Sequence, residues 1–516
     1  MTAAAAAPAP FEVSALQRWL VVGTCLIETL AVALSATIIN VAVPEIMGTF
    51  GVGGDQAQWM ATSFFAAMTT GMLASDWLTR SFGQRNAFVG GILLFLLASV
   101  IGGTAPSFGI IVLARTLQGM AAGALLPLAM FAMFSVFPPN KRATVTGMFG
   151  ISFVLGPGMG PWLGGLAIDA FDWRFTFYVA LAPAFVALVG SVFALPGRNP
   201  AAPRTRFDWA GFFLVATFLA ATLTGLSNGQ LRGWTSDFVV LALLLGFGAL
   251  VGFFVWELIV DDPIFDVRLL ANWRFAVANM ISFLFGVTLF GSIYLQPIFT
   301  QIVQGYTPTR AGEVLIPGGL ILGLVLPLTG RLADRIPPQW PITIGFAVFA
   351  VSHIWLGIVD PNIGFWTFAL LVVLGRAGGG MIFPPLTVAG FREVPPARLG
   401  AANGMLNFTR QLGGAFGINA LAIYLEQQTA FYSTMLAATQ TEADAATQAM
   451  LVRVQRLLDA AGLPEGTEVA LSKLYLGRVI AAQANALAFA DTFIVLGLAA
   501  VAGALLGLTV WKPTRR

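Results

Sequence analysis

The sequence predicts an all-α membrane protein of fourteen spanning helices. Three observations carry that expectation. Fourteen apolar stretches, each long enough to cross a bilayer, fill the chain between positions 19 and 511. Hydrophobic residues make up 57% of the chain and charged residues 10%, with a mean hydropathy of +0.83. A water-soluble chain cannot hide that much apolar surface, because its exterior has to be polar. Basic residues, finally, recur in every second short loop. Polar groups inside hydrocarbon are costly, so the few that the spans retain are where function is to be sought.

A spanning helix needs about 20 apolar residues. Spans are expected near 18–46, 57–79, 86–104, 108–133, 143–168, 174–195, 208–228, 237–258, 273–297, 311–333, 340–359, 363–388, 401–426 and 487–511. They divide into an N-terminal six-helix bundle over 18–195, a linker with two additional membrane helices over 196–262, and a C-terminal six-helix bundle over 263–511. Short tails remain at 1–17 and 512–516. Residues 1–10 are rich in Ala and Pro and lack the charged start of a signal peptide, so the first tail is expected to be disordered.

Loop charge sets the orientation. Arg80 and Arg85, Lys141 and Arg142, Arg198, Arg204 and Arg206, Arg268 and Arg274, Arg331 and Arg335, and Arg392 and Arg398 fall on one side. The loops between them carry only Arg174, Arg232 and Arg310. The positive-inside bias puts the first set, with both termini, in the cytoplasm. On the outer side, 427–486 is long and polar. Positions 448–458 are amphipathic, Pro464-Glu465-Gly466 reads as a turn, and 467–484 as a second helix. This external hairpin either caps the outer mouth or docks a partner.

Several functions are excluded. The single Cys25 rules out an internal disulfide, and the single His353 lacks partners for a metal site. A net charge of +3, spread over short loops, gives no nucleic-acid surface. There is no phosphate-binding GxxxxGK[ST] loop, no paired catalytic acids and no cofactor motif. No catalytic residue and no metal ligand is assigned.

The chain repeats itself weakly. Val112-Leu113-Ala114-Arg115 precedes Gly119, Met120 and Pro127; Val373-Leu374-Gly375-Arg376 precedes Gly380, Met381 and Pro384. Each follows a basic inner loop. Repeated halves with a site between them at mid-depth are the architecture of secondary transporters.

Arg115-Thr116-Leu117-Gln118-Gly119 forms an RxxQG motif in the fourth span. Gly156-Pro157-Gly158-Met159-Gly160-Pro161 with Gly164 forms a glycine–proline run in the fifth. Gly330-Arg331-Leu332-Ala333-Asp334-Arg335 closes a later span. In order and at these helices, they make the chain resemble the major facilitator superfamily, specifically the fourteen-span drug:proton antiporters of the EmrB/QacA type, over essentially its whole length. The resemblance implies a major facilitator fold, a proton gradient as driving force, and, in a cell with two membranes, a periplasmic adaptor and an outer-membrane channel as partners beside the membrane lipids. Two departures stand out. Ser35 occupies the place of the family's first-helix aspartate in LDxTIxNVAxP, and Arg80-Ser81 stands where the first inner loop has Asp-Arg. Asp76 lies one turn before Arg80.

The motifs have physical readings. Gly156, Gly160 and Gly164 bare one helix face for close approach, and Pro157 and Pro161 bend the segment; it is either a pliant seam or a packing surface. Asp76, Arg80, Asp334 and Arg335 are gating candidates, a charge latch or a solvated loop pair. The substrate cavity is expected from Ser35, Thr37, Asn40, Phe64, Phe65, Gln118, Phe153, Phe283, Tyr294, Gln296, Asn407 and Arg410, an aromatic lining with polar anchors that suits bulky amphipathic molecules. Glu28 is the acid deep in the first span, two turns before Ser35. Unlike Ser35, it can cycle its charge, either as a proton-coupling site with Arg115 or as a permanent ion pair with it. The sequence thus points to a proton-coupled exporter, with a dedicated exporter of a lipid, fatty acid, siderophore or metabolite, or a non-transporting receptor, as alternatives.

Overall fold

The computed structural model describes residues 14–137, 142–198, 207–260, 263–333, 336–395, 398–440, 444–461 and 467–509. Among them all regular structure is helical, as backbone groups without water must be satisfied inside each segment. The first part contains α1 (Ala15–Ile38), α2 (Val43–Phe50), α3 (Gly54–Ala57), α4 (Trp59–Phe82), α5 (Gln84–Gly103), α6 (Phe108–Ser135), α7 (Arg142–Ala170), α8 (Phe175–Val179) and α9 (Leu181–Ala194). The next pair, α10 (Trp209–Arg232) and α11 (Asp237–Ile259), pack on each other. The last part holds α12 (Trp273–Ile302), α13 (Pro308–Glu313), α14 (Ile316–Ala333), α15 (Gln339–Ile358), α16 (Phe365–Arg392), α17 (Leu399–Thr439), α18 (Ala445–Ala460) and α19 (Thr467–Thr509).

Eleven helical segments among the described residues are long and apolar enough to cross a membrane. The fourteen expected spans map onto these and onto α4, α7 and α17, which are 24, 29 and 41 residues long and pack among them. The first expected span is segmented. α1 ends at Ile38, a tight 3-10 turn covers Ile39–Val41, and α2 restarts with a proline in its first turn, where the missing N–H is no loss.

The outer hairpin departs from expectation. Positions 467–484 and 487–511 were expected as separate helices, yet 467–509 is one helix of 43 residues. The alanine-rich stretch Ala481-Ala482-Gln483-Ala484 favours continuation. α17 likewise runs on to Thr439. At 1.5 Å per residue both are about 60 Å long, twice the hydrocarbon thickness of about 30 Å, so both project from the membrane. Between them α18 is capped by Asp444, whose carboxylate accepts from the Thr447 hydroxyl and N–H and is held below its usual range by those bonds. Gln455 donates to Ser472 across the hairpin at 3.3 Å. The Pro464-Glu465-Gly466 turn lies outside the described residues.

Glycine sets the helix spacing. A methyl group on Gly119 or Gly123 of α6 would overlap the carbonyl oxygens of Phe64 and Met68 on α4; one on Gly286 of α12 would overlap that of Arg410 on α17. These pairs touch backbone to backbone. The stripe Gly156, Gly160 and Gly164 receives α1, at Ala33, Thr37 and Ile38 in turn, so it packs within the N-terminal bundle. Overpacking such contacts costs about 1–3 kcal/mol. Gly123→Ala is therefore expected to lower the thermal midpoint of the purified protein. Gly109→Ala, where an added methyl meets nothing within 4 Å, leaves it unchanged.

Candidate functional site

The N-terminal bundle is organised around Arg115 of α6, 1% exposed. Its Nη1 donates to the Ser35 carbonyl (2.9 Å), the Ser35 hydroxyl (3.2 Å) and Gln118 Oε1 (2.9 Å). Its Nε donates to the Met60 carbonyl at 2.9 Å, and the guanidinium lies 4.1 Å above the Phe64 ring. Gln118 in turn donates to Ser99 of α5 at 2.8 Å. One cation thus ties α1, α4, α5 and α6 together.

Glu28 is buried, 2% exposed, but is not Arg115's partner. Its Oε2 accepts from the Thr29 hydroxyl at 3.3 Å and its Oε1 has no partner. The expected Glu28–Arg115 ion pair is absent because Arg115 leaves α6 level with Ser35, two helical turns or about 10 Å along α1 from Glu28.

The C-terminal bundle repeats the arrangement. Arg376 of α16 donates to Gln296 Oε1 of α12 at 3.0 Å, as Arg115 does to Ser35. Gln296 faces His353 Nε2 at 3.5 Å. The His353 Nδ1–H donates to the Phe349 carbonyl (3.0 Å), which leaves Nε2 to accept, and the ring stacks on Phe349 at 4.1 Å. On α17, Arg410 donates to Asn407 and lies 4.5 Å over Phe383.

Other candidates form a seal between the bundles. Asn40 donates to the Ile293 carbonyl at 3.4 Å, and Phe65 meets Phe290 at 4.5 Å, with Tyr294 buried nearby. Asp169 accepts from the Thr309 N–H at 3.3 Å, and Gly312 lies bare against Pro161 and Trp162. Ser227 of α10 accepts from Gln58 (3.4 Å) on one side and Asn419 (2.6 Å) on the other.

A sequence model of the Major Facilitator Superfamily matches residues 26–418. The chain belongs to this superfamily. Its relatives include the multidrug export protein EmrB of Escherichia coli, 28% identical over 433 residues, 84% of this chain and 85% of that one. A multidrug resistance protein B homolog of Mycobacterium tuberculosis is 30% identical over 414 residues, 79% of this chain and 76% of that one. Among solved structures, a bacterial homolog of the human lysosomal transporter Spinster aligns with a TM-score of 0.60 at 15% identity, covering 96% of this chain and 98% of that one. A POT peptide transporter aligns at 0.63 with 14% identity, over 96% and 94%. These two likenesses establish the fold. The protein is a multi-pass membrane transporter of the major facilitator fold and not an enzyme.

Within that fold the expected single cavity resolves into separate groups. Ser35, Phe64 and Gln118 belong to the Arg115 cluster. Thr37 holds the Gly156 carbonyl at 3.1 Å, and Phe283 is half-buried. Asn407 and Arg410 stand apart near the other end of α17. Of the gating candidates, Arg80 is exposed at the end of α4; the Asp76 side chain and both Asp334 and Arg335 lie outside the described residues, as do the side chains of Phe153 and Pro157. Ser227, Phe290, Phe383 and Asn419 were not singled out from sequence. Asn419, an amide in an apolar stretch, offered a signal; Ser227 offered none.

Removing one of Arg115's several acceptors is worth about 1 kcal/mol. Ser35→Ala is expected to lower the thermal midpoint by a few degrees, and Arg115→Leu to lower it further because it also strips the Met60 carbonyl and Gln118 of their donor. Both effects are read by thermal unfolding in detergent.

Proposed function

We propose that this transporter is a proton-coupled exporter of bulky amphipathic compounds, working by alternating access in the cytoplasmic membrane with both termini inside. The observation that carries the coupling is Glu28: a carboxyl group buried at the middle of α1, with one oxygen unpartnered and no ion pair to hold its charge. An acid so placed is free to exchange a proton as its surroundings change, whereas an acid locked to an arginine is not. The multidrug exporters among the relatives support the direction of transport and the class of cargo. The seal through Asn40, Phe65 and Asp169 lies toward the ends of α1, α7 and α12. The loop-charge bias supports an outside location for that end, which reads as a closed outer mouth. The hairpin formed by α18 and the projecting parts of α17 and α19 is the proposed contact for a periplasmic adaptor leading to an outer-membrane channel.

Glu28→Gln is expected to abolish efflux driven by a pH gradient in proteoliposomes while leaving folded yield and substrate binding intact; normal gradient-driven efflux in that variant eliminates Glu28 as the coupling site. For orientation, Gln455→Cys in a Cys25→Ser background should react with a membrane-impermeant maleimide on intact spheroplasts. Reaction only in inverted vesicles reverses the topology. Deletion of 445–480 is expected to weaken adaptor pull-down, and unchanged recovery removes the docking role.

A further inference from the structure

Two acids are buried among the described residues, Glu28 and Glu257. Glu257 has no part in the site described above. It stands in the last turn of α11, at the end of the molecule that carries the basic loops, and is 0% exposed. Its Oε2 accepts from the Phe265 N–H at 3.1 Å, and its Oε1 has no partner. Asp208, at the start of the neighbouring helix, caps α10. Its Oδ1 accepts from the Gly211 N–H at 2.9 Å and from the Trp256 indole at 2.8 Å, and its Oδ2 has no partner either. The two open oxygens are aimed at one spot. A methyl on Gly211 would lie 2.4 Å from Asp208 Oδ2 and 2.7 Å from Glu257 Oε1.

The charged groups around this pair, among the described residues, are Asp266 and Arg268 on the segment that leaves α11, and Arg398 just before α17. Arg398 binds Asp266 Oδ2 at 2.9 Å. Arg268 binds the Leu258 and Val260 carbonyls at 2.9 and 3.4 Å. Both cations are thus engaged elsewhere, and Asp266 adds a third negative charge. Arg204, Arg206, Asp261 and Asp262 lie outside the described residues. No group of three metal-ligating side chains forms among the described residues, and both open oxygens are sealed from solvent. Two carboxylates held this close, with neither a cation nor water between them, cannot both keep their charge; one proton relieves the repulsion.

We propose that Asp208 and Glu257 hold one proton between them, and that this proton locks the α10–α11 pair to the start of α17. With the proton in place, one carboxyl donates to the other and Glu257 Oε2 keeps the Phe265 N–H. Phe265 packs between Phe253 of α11 and Phe408 of α17, at 5.9 and 5.1 Å. Its neighbour Asp266 holds Arg398. The tie therefore runs from α10 through α11 and positions 264–266 into α17. Without the proton the two carboxylates repel across Gly211. Glu257 is the member that both feels this repulsion and holds the segment, so its release frees the start of α17. This proton site is separate from Glu28 and does not depend on the direction of transport.

The test is thermal unfolding of the full-length protein in nanodiscs of neutral lipid, from about pH 5 to about pH 9, above the range where free carboxyl groups titrate. An unfolded chain has given up both protons by then, whereas the folded pair retains one. The thermal midpoint is therefore expected to fall by several degrees as pH rises and the pair ionises. Glu257→Gln puts an amide N–H in place of the shared proton, while its oxygen still accepts from Phe265. Asp208→Asn does the same from the other side and keeps the α10 cap. Each variant is expected to at least halve the fall, also in a Glu28→Gln background, which separates this site from Glu28; either variant decides if the other does not fold. Parallel profiles in wild type and variants overturn the shared proton. The lock is read by hydrogen exchange of backbone positions 263–272, corrected for the intrinsic effect of pH on exchange. Protection is expected to fall severalfold with rising pH in the wild type and to hold in Glu257→Gln. Protection that does not change with pH in the wild type overturns the lock.

Discussion

Backbone-to-backbone contact at glycine is the constraint on which the rest of this protein depends. In a bilayer there is no hydrophobic force between helices, so close packing has to hold them together. Gly119 rests on the Phe64 carbonyl one turn after Arg115 on the same helix. That contact fixes the register of α6 on α4, and the register is what brings the guanidinium over the Phe64 ring and within reach of the Met60 carbonyl. In the other bundle Gly286 rests on the Arg410 carbonyl. With its backbone pinned to α12, Arg410 directs its side chain toward α16 and Phe383. The polar chemistry in each half is thus positioned by residues without side chains.

The two halves share a plan and differ in its use. Arg115 and Arg376 stand at repeated positions, and each reaches the first helix of its own bundle, at Ser35 and at Gln296. Neither finds an acid there. Where the resembling family has an aspartate, Ser35 removes a negative charge from beside Arg115 and leaves Glu28, two turns away, unattached. Arg115 is held instead by carbonyl, hydroxyl and amide oxygens, with its Nη2 unpartnered, and Glu28 stands apart from it.

Much of this was legible in the sequence. The apolar lengths set the number of spans to be expected, and the Arg115 and Arg376 repeat announced two related halves. The function of the glycine stripe was legible only in part: its spacing announces a bare face, but which helix fills it depends on tertiary placement, and α1 fills it. The Glu28–Arg115 pairing failed because helical spacing gives direction around an axis and says little of the level at which a neighbouring helix crosses. Ser227 was invisible, since one serine among many small residues has no periodicity to mark it; its role arises only because α10 lies between Gln58 and Asn419. The hairpin was misdivided because an alanine-rich helix crossing from lipid into water carries no break at the boundary.

That unbroken crossing has a mechanical meaning. α17 holds Asn403 and Asn407 near its start and reaches Thr439 at the hairpin as one helix, while α19 runs alongside. A helix hydrogen-bonded along its whole length behaves as a lever. If the C-terminal bundle tilts, the hairpin swings with it, and its tip travels farther than the base of the helix. A protein seated on the hairpin would feel any tilt of the bundle as a displacement.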